Sequence, residues 1–133
     1  METLPNLVIG TSVSTQAEWD ERVPVLCRIP AWRRVVSVEP CLGQVDITRD
    51  VGGNHPIVHG IILGGESGPG ARPMHPEWAR NLRDQCDAAG ICFFMKQLDK
   101  KQPIPQDLMI RQLCWTRENE PWQQILIPFL AFP

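Results

Sequence analysis

The sequence predicts an α/β fold of four mostly parallel strands with outer helices, and three observations carry that prediction. Four short apolar runs rich in β-branched residues recur along the chain: "LVIGTSV", "RRVVSVEP", "IVHGIILGG" and "ICFFMKQ". Each is almost continuously apolar, as strands covered on both faces are. Segments with helical patterning lie after the first run and between the third and fourth, and this βαβ alternation makes a parallel sheet with helices packed outside it. Periodicity leaves open whether that sheet is an open α/β sheet or a portion of a (β/α) barrel.

The elements follow in order. Leu7 to Val13 is read as the first strand. Thr15 with Glu18 three residues on is a capping-box pattern, so a helix is expected from Gln16. Pro24, lacking an N–H for the helical ladder, is expected to kink or shorten it. The second strand is expected over Val35 to Val38, stopped by Glu39-Pro40. A loop through "GQVDITRDVGGNHP" follows, with turn chemistry at Gly52-Gly53-Asn54. "HPEWARNLRDQCDAAG" is the clearest helix. Pro76 suits its first turn, Glu77 its positive end, and Gly90 its C-terminal stop, with Ala79, Leu82, Cys86 and Ala89 on one face. The fourth strand is expected to end at Lys96, and "IPQDLMIRQL" to form a short final helix. The domain is drawn over residues 1–112, and residues 113–133 are a divergent apolar tail.

Composition narrows the function classes. A chain of 133 residues, 43% hydrophobic and 21% charged, reads as one small globular domain. A net charge of -2 gives no general attraction to nucleic acid, so such binding would need a local basic patch. Apolar runs such as "GIILGG" and "ILIPFLAF" are far short of the roughly 20 residues that span a bilayer. No charged-then-apolar signal segment precedes "NLVIGTSV", so the expected location is cytoplasmic. The five cysteines, at 27, 41, 86, 92 and 114, are odd in number and widely spaced, which argues against a disulfide framework or a zinc clip. Cys27 and Cys86 sit among apolar neighbours and read as buried thiols. His55, His59 and His75 do not share a helix face, and no metal site is expected. The tryptophans read as packing residues, and "DKKQ" as a solvated turn.

Parallel α/β architectures place ligands at the carboxyl ends of their strands, where the βα loops emerge. Those ends carry Thr11, Ser12 and Ser14, then Glu39, then Glu66 with Ser67, then Lys96 with Gln97. Polar groups from all four strands therefore converge on one rim. Glu39, Glu66 and Lys96 are the candidate catalytic residues, and Ser12, Gly64, Gly65, Ser67, Gly68, Arg72 and Gln97 the candidate ligand contacts. Two carboxylates and an ammonium could perform acid–base work, bind a metal, or hold the amine and carboxylate of a small ligand. The competing reading is a structural network in which Lys96 merely neutralises the acids. The loop "GGESGPGARP" has glycines that let backbone approach a ligand, and Arg72 would suit an anion. It could equally be a tight structural turn. It matches none of the named glycine motifs, with Pro69 standing where Gly-x-Ser-x-Gly needs its last glycine.

The stretches "VSVEPCLGQVDI", "GGESGPGARPMHPEWARNLRDQCDAAG" and "FFMKQLDKKQPIPQDLMIRQ" resemble a family of phage and prophage proteins of unassigned function, founded on phage gene products thirty-seven and sixty-eight. Its members look like radical S-adenosylmethionine (SAM) proteins. The resemblance covers Leu4 to Gln112 and implies the carboxyl-terminal half of a partial (β/α) barrel. In that family the amino-terminal half carries a three-cysteine motif for a [4Fe–4S] cluster, which would cleave SAM to a radical. No Cys-x-x-x-Cys-x-x-Cys occurs in this sequence. The resemblance therefore implies no cofactor held by this chain alone, SAM as the cofactor of the whole barrel, and Glu39, Glu66, Ser67 and Lys96 facing its interior. The expectation is a barrel fragment with a ligand-facing rim that is not an autonomous enzyme. Its expected ligand is small and anionic or SAM-like, and its expected partner is a second copy or a separately encoded amino-terminal half. A truncated, frame-shifted gene would explain the tail, and a partner-docking segment is the rival. Two other functions fit the residues: a non-catalytic phage binding or inhibitor protein acting through sheet edges and tail, and a cofactor-free enzyme using Glu39 or Glu66 as general base.

Overall fold

The computed structural model describes residues 4–50, 58–113 and 129–130. In chain order the elements are β1 (Leu4–Val13), α1 (Gln16–Arg28), β2 (Ala31–Val38), β3 (Gly60–Gly64), α2 (Pro76–Ala89), β4 (Cys92–Gln97) and the two-residue β5 (Phe129–Leu130). Short 3-10 turns lie at Asp99–Lys101 and Gln106–Leu108. Every strand pairing is parallel, and the order across the sheet is β4-β3-β2-β1-β5. The fold is α/β, as the alternation of runs predicts.

Register shows how the layers form. Thr11, Val36, Ile61 and Phe93 stand side by side, and so do Val13, Val38, Leu63 and Met95. Side chains alternate along a strand, so both rows share one face. They join Trp19, Val23 and Leu26 of α1 and Ala79, Leu82 and Cys86 of α2 in a single buried core. Both helices thus cover the same face, and β1 to β4 follow each other without a switch in order. A doubly wound sheet reverses its order and carries helices on both faces. The sheet here is singly wound instead, with both helices on one face.

Between the two helices the gap is filled by loop rather than helix. Val45 and Ile47 are buried there, and two glutamines hold the backbone in place as a neighbouring strand would. Gln16 of α1 accepts from Asp46 N–H at 2.6 Å and donates to Asp46 C=O at 3.1 Å. Gln85 of α2 accepts from Ile47 N–H at 2.8 Å and donates to Val45 C=O at 2.9 Å. A loop in this position would otherwise bury unpaired polar backbone.

Helix ends follow the sequence signals. The Thr15 hydroxyl accepts from Glu18 N–H, and the Glu18 carboxylate reaches back to Ser14 N–H at 2.6 Å. Contrary to expectation α1 is not cut short at Pro24 but continues to Arg28. Gly90 closes α2 at φ 68°, a left-handed position that suits glycine, and Ile91 N–H returns to Cys86 C=O. Two strands begin earlier than their apolar runs. β2 starts at Ala31, which pairs with Leu4, and its Arg34 is buried with the guanidinium donating to Ile29 C=O at 2.6 Å. β1 starts at Leu4.

The expected final helix over "IPQDLMIRQL" does not form. After the turn at Gln106–Leu108 the chain runs antiparallel beside β4: Met95 N–H donates to Ile110 C=O and Gln112 N–H to Phe93 C=O. The fully buried Leu108 anchors the turn. This segment lies beside part of β4, and the two-residue β5 lies beside Gly10 and Thr11 of β1. The tail reading falls mainly on residues 114–128 and 131–133, which lie outside the described residues. Cys27, Cys41 and Cys86 are free and buried, as expected for Cys27 and Cys86. Cys92 is disulfide-bonded, which an odd count without close spacing gave no hint of.

His59, just before β3, sits at the opposite end of the sheet from the proposed rim. Its Nδ1 accepts from Arg34 N–H at 3.1 Å, and its own backbone bonds Arg34 C=O and Cys92 N–H. Burial, and then Arg33 and Arg34, lower its pKa from 6.5 to about 4. Its folded pKa being the lower one, the unfolded chain binds the extra proton between pH 6.5 and 4. The stabilisation is complete above pH 6.5 and is lost as pH falls toward 4. Urea titrations should show a decline of about 1–2 kcal/mol over that window after allowance for solvent screening. His59→Gln should flatten it; an unchanged slope in that variant would contradict the assignment.

Candidate functional site

The second face of the sheet leads to the rim. Ser12, Ser37, Ile62 and Phe94 are register partners on that face, and Val8, Val35, Trp32 and Cys92 pack beside them. One step further along the strands, at their carboxyl ends, stand Glu39 and Lys96. Lys96 Nζ donates to Glu39 Oε1 at 2.6 Å, while the buried Ser37 hydroxyl donates to Glu39 Oε2 at 3.3 Å.

This ion pair joins strands that are not neighbours. β3 lies between β2 and β4, so the two backbones are separated by two strand spacings, about 9–10 Å. The side chains meet above Gly64, where a Cβ would lie 3.2 Å from the Glu39 carboxyl carbon and Oε1. The pairing of β3 with β4 also slips by one residue here. Leu63 faces Met95 and Gly64 faces Gln97, leaving Lys96 as the unopposed residue of a bulge. Bulges re-aim a side chain at the end of a ladder, which is what Lys96 needs in order to reach over β3. The Lys96 side chain is 50% exposed and that of Glu39 25%, so the pair remains open to a ligand.

Glu66 does not join them. Its carboxylate accepts from Arg72 three times: from backbone N–H at 2.8 Å, Nε at 3.1 Å and Nη2 at 2.9 Å. These bonds hold its carboxyl at about 2, well below the usual carboxylate range. The pair closes the loop "ESGPGAR" on itself, with Ser67 and Gly68 exposed at its tip and Ala71 N–H turning back to Gly68 C=O. Gln97 bonds backbone, its Nε2 donating to Gly65 C=O at 2.8 Å. The sequence-predicted residues therefore divide. Ser12, Glu39, Gly64 and Lys96 gather on or beside the rim face. Glu66, Ser67, Gly68 and Arg72 form a braced loop at its border, with Gly65 and Gln97 at the junction between the two.

Ser37 and Asp99 are residues that sequence reasoning missed. Ser37 lies inside an apolar run, and only strand alternation from Glu39 could have placed it on the rim. Asp99 belongs to "DKKQ", read as a solvated turn. The structure corrects that reading at Asp99, which is 6% exposed and accepts from Met74 N–H and Gln102 Nε2, both at 3.0 Å. Lys100 and Lys101 are exposed as expected. A cavity of about 520 Å³ lies elsewhere, between the end of α2, the start of β4 and Ile110–Leu113. It touches none of the rim residues.

Because the Glu39–Lys96 pair is partly solvated, it should contribute little to stability. A double-mutant cycle with Glu39→Gln and Lys96→Met should give a coupling of about 0.5–1 kcal/mol by denaturant unfolding. A coupling above about 3 kcal/mol, the cost typical of breaking a buried pair, would make it a structural clamp.

No curated protein and no solved structure matches the chain. Residues 1–117 match a family described as protein of unknown function (DUF5131). That span takes in β1 to β4, both helices, the Glu39–Lys96 pair and the braced loop. The chain belongs to that family.

Proposed function

We propose that this protein is a radical-SAM-like barrel segment of phage or prophage type, whose strand-end rim holds the charged end of a small ligand. The observation that carries the reading is the Glu39–Lys96 pair, bulged into place at the carboxyl ends of parallel strands. A carboxylate and an ammonium side by side, with the Ser37 hydroxyl behind them, complement the amine and carboxylate of an amino-acid-like ligand such as the methionyl end of SAM. The ligand would exchange one internal ion pair for two intermolecular ones.

The chain's own residues do not fit an iron–sulfur cluster. A cluster needs convergent thiolates, whereas burial raises the thiol pKa of Cys27 and Cys41 and pushes Cys86 up to about 12. Among the described residues no three His, Cys, Asp or Glu side chains gather as a metal site. Radical chemistry therefore belongs, in this reading, to a complex with a separately encoded amino-terminal half, and the chain is not an autonomous enzyme. Among the described residues no helix is long and apolar enough to cross a membrane. Three free buried thiols fit the proposed cytoplasmic location, whereas the disulfide-bonded Cys92 counts against it. A cofactor-free mechanism with Glu66 as general base is disfavoured, since a carboxyl held at about 2 is far from the operating pH.

Calorimetry with S-adenosylhomocysteine tests the rim. Binding should weaken at least about tenfold, roughly 1.4 kcal/mol, in Lys96→Met and in Glu39→Gln, with melting temperatures within a few degrees of the parent. Binding unaffected by both substitutions would place the ligand elsewhere, and none at millimolar ligand would defeat the proposal. Anaerobic reconstitution should leave the isolated chain essentially iron-free. About four irons per chain, lost on cysteine replacement, would show that it holds a cluster after all.

A further inference from the structure

The loop after β3 and the turn after β4 are joined as one piece. Gly65 N–H donates to Gln97 C=O, Gln97 Nε2 to Gly65 C=O, Lys100 N–H to Glu66 C=O, and Met74 N–H to Asp99 Oδ1. The two segments also touch without space between them: a Cβ on Gly65 would lie 2.3 Å from the Asp99 backbone nitrogen. Asp99 sits at the centre of this junction. Its buried carboxylate has no Lys, Arg or His within ion-pair distance among the described residues, and its two oxygens take N–H donors from opposite sides. Burying a carboxylate is costly, and an apolar side chain would pack a merely structural turn at less expense. What the carboxylate adds is a directional hold on Met74 N–H, at the far end of the loop that Glu66 and Arg72 close.

From this geometry we infer that Asp99 is a positioning residue, latching the β3 loop onto the β4 turn and so fixing Glu66 and Arg72 relative to Lys96. It acts through those groups and touches no ligand itself. The inference rests on the reading of the rim as a ligand site for its functional meaning, but the latch is measurable without a ligand.

The test uses the full chain and a glutamyl-specific protease, reading cleavage at Glu66–Ser67 by mass spectrometry, alongside calorimetry with S-adenosylhomocysteine. Asp99→Ala should speed that cleavage at least about tenfold, since the closed loop is cut only when it opens. Ile47→Ala, which loosens the loop between the helices, serves as a control for general destabilisation and should leave the site protected. Asp99→Asn should restore protection: its amide oxygen can accept from Met74 N–H, and the Gln102 amide can turn to present oxygen to its Nδ2. Ligand affinity should fall about tenfold in Asp99→Ala and recover in Asp99→Asn. Cleavage no faster in Asp99→Ala than in Ile47→Ala would overturn the latch, and so would failure of Asp99→Asn to restore protection. A latch that behaves as expected in a chain that binds no ligand would retain the junction and remove the rim reading.

Discussion

Two residues without side chains, Gly64 and Gly65, let three segments of this protein meet at the end of β3. Above Gly64 the Glu39 carboxylate lies where a Cβ would crowd it at 3.2 Å, and beside Gly65 the Asp99 backbone is closer still. Each glycine thus admits a different neighbour. Gly64 opens the passage through which Lys96 reaches Glu39 across an intervening strand. Gly65 lets the turn after β4 lie directly against the loop after β3. Any side chain at Gly65 must push apart backbone rather than a flexible group, so that constraint is the stricter of the two.

Stability and site are drawn from different faces of the sheet. The face covered by α1 and α2 carries the large buried side chains, Trp19, Phe93, Ile61 and Leu63 among them. Burial of that kind dominates folding energetics. The opposite face ends in a charged, partly solvated pair whose contribution to stability is small by comparison. Its two carboxylates also play separate parts. Glu39 meets an exposed lysine above the rim, whereas Glu66 is bound three times by Arg72 and serves the shape of the loop. Sequence position alone made them look equivalent, each a glutamate at the end of an apolar run.

The fold was largely legible because its signals are local. Apolar runs, the Thr15 and Glu18 cap, and Pro76 with Gly90 around α2 each specify an element from its own residues. The Glu39–Lys96 meeting was legible in outline, since parallel strands bring their ends together. What could not be read depends on pairing between distant segments. The bulge at Lys96 exists only against β3, and the stretch after Leu108 became a strand-like edge because β4 offered open hydrogen-bonding groups. Asp99 was misread because its carboxylate is satisfied by Met74, 25 residues away. The same applies to Gln16 and Gln85, whose spacing in the sequence carries no trace of the loop they hold.

The central claim, that Gly65 makes the β3 loop and the β4 turn a single body, is tested most directly by amide hydrogen exchange followed by NMR. Gly65 N–H, bonded to Gln97 C=O, and Lys100 N–H, bonded to Glu66 C=O, report the two sides of the junction. In the parent protein they should exchange at similar rates, through one shared opening. In Gly65→Ala both should lose protection together, while amides of β1 and β2 keep theirs. Independent exchange of the two amides, or a Gly65→Ala protein with both still protected, would contradict the account.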